Sequence, residues 1–102
     1  MVDLYDVINK IQKEPIFYLG RRSLIALYAF LRGYNIARRE LQLPKTEQEQ
    51  EFEKFPDWIK WKAMIEVNQS WEKIILLYSD DDVKAFEKFF ILFKEFVNRE
   101  DK

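Results

Sequence analysis

The sequence contains no cysteine and no histidine, and only two glycines and three prolines in 102 residues. Without cysteine there is no disulfide framework and no thiolate nucleophile. Without histidine the commonest zinc ligand and the usual proton shuttle near neutral pH are missing as well. So few glycines and prolines cannot supply the turns of a sandwich built from many short strands, whereas long helices need almost none. No apolar run approaches the roughly 20 residues needed to span a bilayer, and the first dozen residues lack the basic start, apolar stretch and cleavage site of a signal peptide. A cytoplasmic protein without a membrane segment is expected. The 17 basic and 18 acidic residues leave a net charge of -1, which disfavours electrostatic binding of duplex nucleic acid.

What is present is a strongly apolar and aromatic chain: 48% hydrophobic, with nine Phe, five Tyr and three Trp. That is enough to build one core, and a length of about 100 residues fits one domain spanning residues 1 to 102. Leu4, Val7, Ile8 and Ile11 recur at helical spacing behind Asp3, a good N-cap. Pro15 stops that helix, and the apolar Pro15 to Gly20 segment reads as a connector strapped across the core. Ser23 caps a helix reaching about Leu41 whose Leu24, Leu27, Tyr28, Leu31 and Tyr34 form a stripe, widened by Ile25, Ala29, Ile36 and Ala37 so that much of its circumference should be buried. Gly33 inside it suggests a close helix crossing, with a kink as the second explanation.

Thr46-x-x-Glu49 has the form of a capping box opening a short polar helix, which Pro56 ends before starting the next. Ser70 is another cap. The β-branched pair Ile74 and Ile75 leaves Ser70 to Tyr78 readable as helix or strand, with helix favoured. Ser79-x-x-Asp82 resembles a further capping box, and Val83, Phe86, Phe89, Phe90, Phe93, Phe96 and Val97 then mark a long last helix expected to pack on the central one through Leu27, Leu31, Phe86, Phe90 and Phe93. The expected architecture is an all-α, single-domain bundle of five or six helices.

Chemistry-bearing patterns are sparse. Asp80, Asp81 and Asp82 sit where a helix dipole favours carboxylates, and the EF-hand pattern is absent because its sixth and twelfth positions would be Ala85 and Ile91. Arg21 and Arg22 precede a helix N-terminus and together with its free amides could hold a phosphate or a partner's carboxylate. Arg38 and Arg39 complement the C-terminal dipole of the same helix. Paired carboxylates such as Asp57 and Glu66 leave a small acid–base enzyme as a third reading, but no phosphate loop, nucleophile elbow, metal set or cofactor motif is found, so no cofactor is expected. Aromatic side chains next to charges are instead the composition of binding anchors. The segment Glu47 to Trp61 offers Glu47, Glu49, Glu51, Trp58 and Trp61 as partner-binding candidates, with both tryptophans equally readable as core.

Glu14-Pro15-Ile16-Phe17-Tyr18-Leu19-Gly20, Leu24 and Phe30-Leu31-Arg32-Gly33-Tyr34 resemble the opening of small bacterial proteins regarded as immunity partners of secreted toxins. The likeness continues through Phe55-Pro56-Asp57-Trp58-Ile59, Ser70-Trp71-Glu72-Lys73-Ile74-Ile75 and Ala85-Phe86-Glu87-Lys88-Phe89-Phe90. Where such proteins carry a basic residue before the first proline, this chain has Glu14. The resemblance implies a non-catalytic protein-binding domain that inhibits a cognate toxin. A housekeeping protein-interaction module is the alternative, and self-association stays open for both.

Overall fold

Seven helical segments in chain order make up the protein in the computed structural model, which describes residues 2 to 100. They are α1 (Leu4–Lys13), α2 (Pro15–Leu19), α3 (Leu24–Glu40), α4 (Glu47–Phe52), α5 (Phe55–Ala63), α6 (Trp71–Leu77) and α7 (Asp82–Val97), and no strand occurs among the described residues. The all-α class holds. The seventh helix is α2, where a connector was expected: Pro15, with its preset φ, starts a single helical turn, and Gly20 ends it in the left-handed conformation at φ 77°. The segment is not a strap, since Ile16 and Phe17 face outward while Pro15 is buried and Tyr18 and Leu19 pack on the core.

Most helix starts follow the side chains that cap them. Asp3 accepts from the backbone N–H of Leu4, and Asp6 returns a bond from the Asp3 N–H. Ser23 accepts from Ala26, and the Thr46–Glu49 box is complete in both directions. Two cap expectations are corrected. Ser70 stands at the N-cap of α6, but its hydroxyl donates to Glu72 at 2.7 Å instead of accepting from the backbone. The expected Ser79–Asp82 box does not form: Asp81 caps α7 by accepting from Lys84, and the Ser79 hydroxyl donates to the Ile75 carbonyl. Ser70 to Tyr78 is settled as helix; an apolar face of Trp71, Ile74 and Ile75 buried at spacings of three and four suits α6 better than a strand.

The core is an aromatic stack. Phe55 is fully buried, lies flat on Phe52 at 5.0 Å, and meets Trp71, Phe89 and Phe96 edge-on at 5.2 to 5.7 Å. Phe89 in turn stacks on Phe93 at 5.8 Å, and Tyr5 joins α1 to Phe93 at 5.0 Å. These offset and edge contacts each add about 0.5 to 1.5 kcal/mol beyond area burial. Helix α3 packs on α7, and Leu27, Leu31, Phe86, Phe90 and Phe93 all lie in the core as expected.

Two expectations for α3 fail. Its buried stripe is only Leu24, Leu27 and Leu31, because Ile25, Ala29, Ile36 and Ala37 point to solvent on a helix that is covered on one side alone. Nor is there a close crossing at Gly33, where a Cβ would meet nothing within 4 Å.

Candidate functional site

The five partner-binding candidates do not form one surface. Glu49 is only 9% exposed and accepts from Arg38 Nε at 2.8 Å while closing the cap on α4. Burial pushes its carboxyl up, but the Thr46 N–H and the Arg38 guanidinium overcome this and hold it below the ordinary range. Glu51 accepts from the Tyr5 hydroxyl at 2.7 Å and pairs with Arg99 at 3.6 Å. Burial first, then this bond, push the Tyr5 phenol far above its usual value. Trp58 is half-buried, stacked near Phe55 at 6.0 Å and edge-on to Phe96 at 5.6 Å, with the Lys62 ammonium over its ring at 5.7 Å. Glu47 and Trp61 are the two candidates left exposed, and they belong to different helices.

Two other patterns have internal uses. At the N-terminus of α3, Asp82 accepts from the Leu24 and Ile25 amides at 2.8 and 3.2 Å and from the Ser23 hydroxyl. The place considered for a phosphate or a partner's carboxylate is therefore occupied by the chain's own carboxylate, with Arg21 and Arg22 exposed beside it. Among the described residues no acidic group is arranged to hold a metal ion, and no helix is long and apolar enough to cross a membrane.

The exposed apolar material concentrates at the end of α5 and beyond. Trp61 is 72% exposed and Met64 is 90% exposed, and both line one shallow depression with Ile65. Met64 closes α5 in the left-handed conformation at φ 57° and ψ 42°, a geometry that glycine adopts freely and that costs a side-chain-bearing residue about 1 to 2 kcal/mol. On the other side of Lys62 and Ala63 runs a groove of about 510 Å³, floored by Ile59, Ile74 and Ile75 and edged by Tyr78 and Ile91. The Lys62–Glu95 ion pair spans α5 to α7, and Lys88 donates to the Tyr78 carbonyl, so the groove has a polar rim. Sequence reading missed Met64, Tyr78 and Ile91. The signal available for Met64 was a helix that ends without a glycine or asparagine after it. Comparison with protein-family models, with curated proteins and with solved structures finds no match to this chain.

Proposed function

We propose that this chain is a non-catalytic bacterial protein-binding domain that acts one-to-one in the cytoplasm, and that its partner is a toxin which it neutralises. The observation that carries the binding role is the pair Trp61 and Met64: two large apolar side chains left in water, one of them on a backbone conformation unfavourable to it. An exposed Trp and Met in one depression that Lys60 and Glu66 also line have the composition of an interface centre. A binding role in place of turnover is supported by three carboxylates committed within the fold. Glu49, Glu51 and Asp82 spend oxygens on caps, a phenol and cations. The toxin as partner is supported by the sequence resemblance along most of the chain.

The test is co-expression with the product of the neighbouring gene. Expected are rescue of growth if that product is toxic, and a one-to-one complex by light scattering. Met64→Gly should then raise the melting temperature by relieving the left-handed strain while weakening the complex about tenfold or more, and Trp61→Ala should weaken it further with the fold intact. A complex whose affinity neither substitution changes refutes this surface. A neighbouring product that is harmless and unbound refutes the immunity reading and leaves an interaction module, and self-association through the same two residues would show as a dimer that Met64→Gly dissolves.

A further inference from the structure

Against the aromatic stack, α1, α3, α4 and α6, with Pro56 of α5, line an open cavity of about 240 Å³. Leu4, Leu31 and Trp71 belong to the core and form its floor, while the rings of Tyr28, Tyr34 and Phe52, each partly buried, wall it. Tyr28 and Trp71 are already edge-to-face at 5.4 Å, so the walls are fixed by packing and not by the contents. A cleft that is mostly aromatic and holds a few convergent polar groups is the usual form of a small-molecule site, and this one falls below the volume range of drug-sized ligands.

The charges around it are unequal in a specific way. Lys45 is matched by Glu53, and Glu49 is matched by Arg38. Arg32 also lines the cavity, and its guanidinium has the Tyr28 ring at 5.9 Å but no carboxylate among the described residues. Asn35 stands beside it on the same wall with its amide uncommitted. Arg32 is therefore left without a counter-charge among the described residues at the edge of an aromatic cleft, next to an amide that can donate. Arginine presents a planar fork of donors suited to a carboxylate.

We infer that the cavity binds a small planar aromatic molecule bearing one carboxylate, with the ring lying against the Tyr28, Tyr34 and Phe52 side chains above Trp71 and the carboxylate on Arg32 and Asn35. This site is separate from the Trp61–Met64 surface and does not depend on the protein-binding reading. Indole-3-acetate is a suitable probe and indole-3-acetamide its neutral counterpart. With about 13 non-hydrogen atoms at ordinary ligand efficiency, the acid should bind with a Kd of about 1 mM or tighter.

In a titration of the whole chain followed by the indole N–H resonances of the tryptophans, the acid should shift Trp71 and leave Trp61 unmoved. The amide should bind about tenfold more weakly. Arg32→Gln changes an exposed residue that makes no ion pair, so it should keep the melting temperature, bring the acid down to the affinity of the amide and leave the amide unchanged. Absence of any Trp71 shift at about 10 mM acid overturns the site. Equal binding of acid and amide in the native chain overturns the carboxylate assignment, and that comparison decides the matter even if Arg32→Gln fails to fold.

Discussion

The two glycines of this chain should respond to alanine with opposite signs. Gly33 lies inside α3, is exposed, and has open space where a Cβ would be placed. Alanine there removes backbone freedom from the unfolded chain and meets no neighbour in the folded one, so Gly33→Ala should stabilise by about 0.5 to 1 kcal/mol. Gly20 also has open space around it, but its φ is 77°, and the left-handed conformation penalises any Cβ by about 1 to 2 kcal/mol. Part of that penalty is recovered through the unfolded chain, and Gly20→Ala should destabilise by about 1 kcal/mol. A domain of this length has an unfolding entropy of roughly 0.2 kcal/mol/K near its midpoint, so the variants should move the melting temperature by about +3 to +5 °C and -5 °C. Calorimetry on the native chain and both variants reads this directly. The reasoning is refuted if Gly33→Ala lowers the melting temperature, which would mean that a helix does cross α3 closely at that point, or if Gly20→Ala leaves it unchanged.

Phe55→Ala should cost about 3 to 5 kcal/mol in urea unfolding, because Phe55 is fully enclosed by rings from α4, α6 and α7; a loss under 1 kcal/mol would mean the stack closes over the gap without penalty. Asp82→Ala should cost about 2 kcal/mol and Asp81→Ala about 1 kcal/mol, since Asp82 clamps α7 to the start of α3 while Asp81 caps its own helix alone; a reversed order in the same assay would deny the clamp. Glu49 has a carboxyl that titrates lower folded than unfolded, so its contribution is complete above the ordinary value near 4.5 and is lost as pH falls through the lower folded value. The stability gap between the native chain and Glu49→Gln, measured from pH 7 down to pH 3, should therefore narrow with acid, and a constant gap would contradict this.

Helices were readable because their signals are local. Asp3, Ser23 and Thr46 cap the helices they precede, and the 3.6-residue recurrence of leucine and phenylalanine in α3 and α7 places the buried residues correctly. Two local caps failed, since Ser70 and Ser79 bond partners two and four residues away, and so did what is set by residues distant in the chain. Asp82 was assigned to its own helix because nothing local shows that its carboxylate meets amides 58 and 57 positions away. Glu49 reads as a residue for a partner, yet it is enclosed and paired with Arg38, eleven positions away. Gly33 was read as a contact because a glycine within a helix is costly, and the structure offers no contact that explains it.

The tryptophans of α5 show why the proposed binding surface was the least legible part. Taking the two fully buried residues of this helix, Phe55 and Ile59, as its inward direction, a turn of about 100° per residue carries Trp58 to the flank and Trp61 nearly to the opposite side. A spacing of three therefore did not place both rings on one face: Trp58 reaches Phe55 and Phe96, and Trp61 reaches neither solvent shelter nor another ring. Continued at the same angle, Met64 also points away from the core, and its left-handed backbone ends the helix there. Because α5 is apolar on more than one side, periodicity alone could not say which side was inward. That was fixed by α6 and α7, which cover Phe55 and Ile59 and leave the Trp61–Met64 edge exposed.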